Sequence, residues 1–335
     1  MSTRMRFADA QAWLWIIPVV LMATVLALPA WSYLHEFDSS SFVPATPDHW
    51  PTGAVTYRLN PASATANANI KDQGTRSAAA VMQASFATWT SAPGVLLSAV
   101  RGPDDNTTVS PTTSENLIAF SCTGSNCDFN TDGTLAVTIT NTDNRGNITS
   151  ANIFFNQKQS FTTVSANASQ EQDMQTVATH EVGHFFGMDH SGIVGAIMFP
   201  IAPTLETTLS DDDVAGISSL YPASSDGGSP QCPSGTARIS GSVKLNGSAV
   251  FGAHVFAEPV NGTAGFGGSI RQSAVGTLTL PDGTYQIACL PVGSYVVTAE
   301  PLDGPETNSD VGWAGSGGVF SSPSSVQTNF TTRWH

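Results

Sequence analysis

HEVGHFFGMDHSGIVGAIMFP, residues 180–200, holds three of the chain's seven histidines, and the rest of the chain is read outward from it. On an α-helix, positions four apart lie about 40° apart around the axis, so His180 and His184 project side by side. Both can offer imidazole nitrogen to one metal ion, at the roughly 2.0–2.1 Å usual for zinc. Glu181 sits about 100° round from His180, placed to flank such an ion rather than bind it. A third ligand has to arrive from another direction. Gly187 allows this, because glycine accepts positive φ and can end a helix in a sharp turn. Three residues later His190 can meet the ion from below. Three protein ligands leave the fourth position of a tetrahedral site open, as a catalytic zinc requires. A lone histidine is more often a packed core or surface residue, and His35, His49, His254 and His335 are read that way. The complete spacing at residues 180–190 is not explained so simply.

The chain has 335 residues, enough for one large domain or two ordinary ones. Hydrophobic residues make up 41% of it, so a real core can be buried. A net charge of -14 and the lack of any basic run argue against a nucleic-acid partner, which needs clustered Lys and Arg. Arg4 and Arg6 precede an apolar run from about Ala12 to Ala30. A positive leader before an apolar segment reads as a secretory signal, with cleavage expected after Ala30 or Ser32. The run is long for a signal core, so residues 1–32 as an uncleaved membrane anchor is the alternative. Either route places the remainder outside the cytosol. Four cysteines suit an oxidising compartment. Cys122 and Cys127 could close a short loop, leaving Cys232 and Cys289 to pair across a longer one; four free thiols is the alternative.

AVTYRLN (54–60) alternates as a strand. In the segment after it, Ala78, Val81, Met82, Phe86 and Trp89 recur at helical spacing, a stripe read as core, and Pro93-Gly94 stops the helix. Strands are expected at 117–121, 134–140 and 151–156. A second helix is expected to begin near Ser169, with Gln172 completing a capping box, and to end near Gly187. A third begins at Ser210, with Asp211 to Asp213 favourable in its first turn. PASSDGGSPQ, within 222–231, reads as part of a linker over 223–235. Beyond it, ARISGSVKL, AVFGAHVFAEP, GTLTLPDGTYQIACL and GSYVVTAEP alternate around turn residues, which predicts a small antiparallel β-sandwich over 236–335.

The HExxHxxGxxH string followed by Ser191 resembles the matrixin branch of the metzincin metalloproteases. AIMFP resembles the Met-turn of that family, which makes Met198 the hydrophobic floor beneath the zinc. LSDDDVAGISSLYP (209–222) is similar to the family's last helix, and HWPTGAVTYRLN and TLAVT to its opening and edge strands. The resemblance covers about residues 49–222, within a catalytic domain placed at 45–222. It implies an α+β fold, with a twisted mixed sheet and three helices, before the small all-β sandwich. It also implies an exported endopeptidase acting on protein or peptide substrates. One zinc would be held by His180, His184 and His190, and Glu181 would act as general base towards a zinc-activated water. An extended substrate would add to the edge strand at Thr134, Leu135, Ala136 and Val137. The wall of the specificity pocket would come from 192–197 and 201–205.

Two family features are missing: a cysteine-switch segment before the catalytic region, and the His-rich loop that holds a second zinc. Asp128, Asn130 and Asp132 offer oxygen ligands of the kind calcium takes, but a polar turn is the preferred reading. The C-terminal segment resembles the carboxypeptidase regulatory-like, transthyretin-like sandwich and shows no catalytic constellation. A non-enzymatic adhesin on a protease scaffold is the main rival, and zinc hydrolysis of a non-peptide bond the second. The sequence does not fix the oligomeric state.

Overall fold

The alternation in AVTYRLN becomes a strand that buries Val55, Tyr57 and Leu59 against the first helices. The structure, a computed structural model, describes residues 35–36, 47–106, 115–122, 133–168, 171–201, 206–223, 232, 235–260, 273–302 and 326–334. The first region runs β1 (Ala54–Asn60), α1 (Pro61–Ala66), β2 (Ile70–Lys71), α2 (Ala78–Thr90), β3 (Ser98–Arg101), β4 (Leu117–Ala119), β5 (Ala136–Thr142), β6 (Ile148–Phe155), β7 (Phe161–Thr162), β8 (Gln172–Asp173), α3 (Met174–Phe185) and α4 (Asp211–Leu220). Its main sheet has the order β3-β1-β4-β6-β5. The first four of these strands pair in parallel, and β5 closes one edge antiparallel to β6. The sheet is therefore mixed, as expected.

Helix α2 starts where Ser77 Oγ accepts the Ala80 N–H at 3.1 Å. The predicted stripe of Ala78, Val81, Met82, Phe86 and Trp89 is buried against α3 and the sheet. Phe86 stacks on Tyr57 at 3.9 Å between ring centroids and meets Phe185 and Phe186 edge-on. Trp89 Nε1 donates to the Thr179 carbonyl of α3 at 2.7 Å, so α2 both packs against α3 and fixes its height.

Two local expectations need correction. Helix α3 begins at Met174, later than predicted, and its cap is Asp173, whose Oδ1 accepts the Thr176 N–H at 2.8 Å. Ser169 lies outside the described residues. A fourth helix, α1, joins the three expected ones: Pro61 has no N–H to leave unpaired in the first turn, and Asn60 Oδ1 accepts the Ser63 N–H at 2.9 Å. Helix α4 matches its prediction, with Ser210 and Asp213 forming a reciprocal capping box.

The C-terminal region is built from β9 (Thr236–Ser242), β10 (Lys244–Leu245), β11 (Ser248–Ala249), β12 (His254–Pro259), β13 (Val275–Leu278), β14 (Thr284–Pro291), β15 (Tyr295–Glu300) and β16 (Arg333–Trp334). An antiparallel sheet β13-β12-β15-β16 and an antiparallel pair β14-β9 share one apolar core, with β10-β11 as a short hairpin. Cys232 is disulfide-bonded to Cys289 of β14. Cys122 is also disulfide-bonded, and its expected partner Cys127 lies outside the described residues. So do residues 1–34, the residues 128, 130 and 132 considered for calcium, 202–205 of the pocket wall, and most of the expected linker. No helix among the described residues is long and apolar enough to cross a membrane.

Candidate metal centre

Helix α3 carries His180, Glu181 and His184, and its C-terminus decides where His190 goes. Gly187 has φ +90°, and any Cβ there would run into the Asp48 carbonyl oxygen, so the position needs glycine twice over. The N–H groups of Gly187 and Met188 bond back to the carbonyls of His184 (2.9 Å) and Gly183 (3.0 Å), the pattern of a Schellman cap. Trp50 Nε1 and the Tyr221 hydroxyl donate to the next carbonyls, Phe185 and Phe186, both at 2.8 Å. With its last turn tied down this way, the chain reverses and brings His190 back to the helix. The ring centroid of His190 lies 5.2 Å from that of His180 and 4.9 Å from that of His184.

The three rings place one nitrogen each within 4.8 Å of the others, the only such metal-capable group among the described residues. His180 Nδ1 contacts the Ile197 carbonyl and His184 Nδ1 the Met188 carbonyl, both at 2.8 Å. A carbonyl only accepts, so each Nδ1 carries a proton, and in the neutral ring Nε2 is the nitrogen with a lone pair for a metal. Those two Nε2 atoms face each other at 3.1 Å. With both rings neutral the two lone pairs repel unless a cation, a proton or a metal ion, lies between them. A tetrahedral zinc with bonds of 2.0–2.1 Å sets its nitrogens about 3.3 Å apart, so the donor set fits the ion.

The electrostatics agree. Burial and the two neighbouring imidazoles hold the His180 pKa well below its ordinary value, favouring the neutral ring that a metal needs. Burial also opposes charge on His184, but Glu36, Glu181 and Asp189 outweigh it and push its pKa up to about 9. Carboxylates around the imidazoles make a pocket suited to positive charge, whether a proton on His184 or a metal ion. Glu181 is buried, and burial raises its pKa, opposed by His184 and by the Thr138 hydrogen bond.

The described structure brings His180, Glu181, His184 and His190 together. Met198 is fully buried, with its sulfur against Gly183 of α3. Any side chain at Gly183 would collide with that sulfur and with Trp89. Ala136 and Val137 lie on β5 at the sheet edge, whereas Thr134 and Leu135 precede it, since the strand runs two residues later than expected. Asn156 holds both of those residues, its side chain donating to the Thr134 carbonyl (2.8 Å) and its N–H to the Leu135 carbonyl (2.9 Å).

Three roles escaped the sequence reading, although Thr138 lies in the stretch read there as the edge strand. Thr138 Oγ1 donates to Glu181 Oε2 at 2.7 Å, with the Glu181 carbonyl as a second acceptor at 3.0 Å. Glu36 places Oε1 3.4 Å from His184 Nδ1 and accepts from the Thr140 hydroxyl at 3.2 Å. Gly183 makes room for Met198. Only Gly183 carried a local signal, since glycine inside a helix costs up to about 1 kcal/mol relative to alanine and so asks for a reason.

The profile of the matrixin family matches residues 49–222. Metalloendoproteinase 1 of Glycine max is 45% identical over 51 residues, 15% of this chain and 17% of that protein. Metalloendoproteinase 1-MMP of Arabidopsis thaliana is 47% identical over 51 residues, 15% of this chain and 14% of that protein. Karilysin of Tannerella forsythia is 38% identical over 66 residues, 19% and 14% of the two chains. The aligned stretches thus span only a small part of these relatives.

Proposed function

The chain belongs to the matrixin family of zinc metalloproteases, and from that premise we propose that it is an exported zinc-dependent endopeptidase in which Glu181 is the general base. The observation that carries this reading is the pair of Nε2 atoms facing each other at 3.1 Å with Glu181 beside them. His180, His184 and His190 would hold one zinc ion. Such an ion supplies Lewis acidity, acidifying water and polarising a peptide carbonyl. Glu181 accepts a proton from the attacking water and passes it to the amine that leaves as the C–N bond breaks. Burial raises its pKa, which suits the first half of that exchange, because a more basic carboxylate takes the proton more readily. Thr138 orients the carboxylate by donating to one oxygen, which leaves the other towards the water. Met198 packs beneath the site as its apolar floor.

The substrate would be an extended segment of a protein or peptide, adding along β5 from Thr134 to Val137, where the sheet ends. The catalytic domain would span 45–222, with a linker over 223–235. Residues 236–335 would form a carboxypeptidase regulatory-like sandwich, a reading supported by two antiparallel sheets around one core. Placement outside the cytosol is supported by the apolar leader and by the Cys232–Cys289 disulfide.

The test is Glu181→Ala in the purified leaderless chain, assayed on an unfolded protein substrate. The variant should keep its zinc and lose turnover by at least the 10²–10⁴-fold typical of a positioned general base. Parental turnover in a zinc-loaded variant would remove Glu181 from the reaction.

A further inference from the structure

The stretch from Ser191 to Met198 leaves the third ligand, His190, and returns under the site. Its ends meet where Ser191 N–H donates to the Met198 carbonyl at 2.8 Å. The Ile197 carbonyl within it orients His180. This loop therefore helps to place two of the three metal ligands. On one side it hangs from α4, where Asp213 accepts the N–H groups of Ile197 (2.8 Å) and Met198 (3.2 Å).

On its other side the loop meets the C-terminal region. The buried carboxylate of Asp212 joins them: Oδ2 accepts the Ser191 hydroxyl at 2.6 Å, and Oδ1 accepts the N–H of Gly276, on β13, at 2.8 Å. The Ser191 oxygen in turn accepts the Ile193 N–H at 3.0 Å. Beside this bridge the imidazole of His254, on β12, is wedged between two glycines. A methyl group at Gly192 would come within 2.7 Å of that ring, and one at Gly276 within 2.9 Å. Ile193 and Ala196 of the loop pack with Ala274 and Phe256 of the C-terminal region in a small apolar cluster. Such a joint combines a buried two-way hydrogen bond with shape matching that leaves no space for a methyl group. A flexible tether between independent units requires neither.

We propose that the C-terminal region is a positioning element of the metal centre, with His254 and Asp212 as positioning residues that hold the 191–198 loop in the setting that presents His190 and the Ile197 carbonyl. This rests on the zinc-peptidase reading but concerns a different part of the chain. The C-terminal region acts through the loop and touches neither substrate nor metal.

The experiment uses the full leaderless chain and four variants: His254→Ala, Asp212→Ala, Asp212→Asn and Glu300→Ala. Asparagine can still accept from Gly276 and donate to the Ser191 oxygen, so Asp212→Asn is the conservative rescue. Glu300 touches His254 Nδ1 at 2.9 Å, away from the two glycines, so Glu300→Ala separates the ring's hydrogen bond from its packing in the wedge. Zinc affinity is measured by competition with a chelator at a temperature where thermal unfolding shows each variant fully folded, and kcat and KM are measured beside it. His254→Ala and Asp212→Ala should lose zinc affinity by about tenfold or more, the loss usual when a ligand's support is removed. Their kcat/KM should fall with it, while Asp212→Asn and Glu300→Ala stay close to the parent. A merely structural joint would lower the melting temperature and leave zinc affinity and kcat unchanged, and that result overturns the proposal. So does parental zinc affinity in the folded alanine variants. If the parent itself cleaves nothing, the peptidase reading fails, and the zinc comparison still decides this proposal.

Discussion

The core behind the metal site is filled by large rings, Trp89, Phe86, Phe120, Phe155, Phe161, Phe185 and Phe186, whereas the C-terminal core is made of Ala253, Val255, Ala257, Val275, Ile287 and Leu290 around a disulfide. A buried aromatic removes 150–250 Å² from water, so the first region can hold its own shape through apolar burial. Alanine and valine bury much less, and the second region makes up the difference in other ways. Cys232–Cys289 ties its entry to β14, and its apolar cluster reaches across to Ala215 of α4. The C-terminal region thus leans more heavily on covalent linkage and on its neighbour. The first region draws mainly on its aromatic core, and only its 191–198 loop is shared with the neighbour.

Removing the disulfide is the strongest way to break this contrast. The bond spans 57 residues, and chain-entropy reasoning assigns a loop of that size about 4 kcal/mol. Cys232→Ser combined with Cys289→Ser should lower the stability of the C-terminal region by that order, read as an earlier thermal or urea transition. The aromatic-cored region should unfold later and almost unchanged. A coincident shift of both would show that they unfold as one body, and no shift would show that the small core suffices alone.

A smaller effect sharpens the other half of the comparison. Thr138→Val keeps the shape of the side chain and removes its donor to Glu181. kcat should fall by about tenfold, equivalent to roughly 1.4 kcal/mol and close to the lower end for a hydrogen bond to a charged group. KM and zinc content should hold, and Thr138→Ser should restore kcat. An unchanged kcat in the valine variant would make Thr138 a packing residue only.

The metal centre was legible because its determinants are local. His180 and His184 share a helix face through spacing alone, Gly187 announces the turn, and His190 follows within the same few residues. Ser210 and Asp213 were legible for the same reason, since a cap is written in four consecutive positions. The supports of the site were not. Thr138 and Glu36 reach it from distant strands and segments, and no local pattern in a sequence reports such pairing. His254 read as an ordinary core or surface histidine, because the two glycines that cradle it come from different regions. Helix α1 was missed although Asn60-Pro61 is a start signal; at six residues it is too short to show periodicity. The start of α3 was misplaced because Ser169 and Gln172 mimic a capping box, while Asp173 makes the bond that counts.

In the proposed function the three imidazoles hold a zinc ion on which peptide hydrolysis depends. This is tested most directly by stripping the purified leaderless chain with a chelator and adding zinc back one equivalent at a time, following both bound metal and cleavage of an unfolded protein. Cleavage should vanish on stripping and return in proportion to bound zinc, reaching its full rate at one ion per chain. Cleavage that survives complete removal of metal, or a chain that binds no zinc at this site, would contradict that role of zinc.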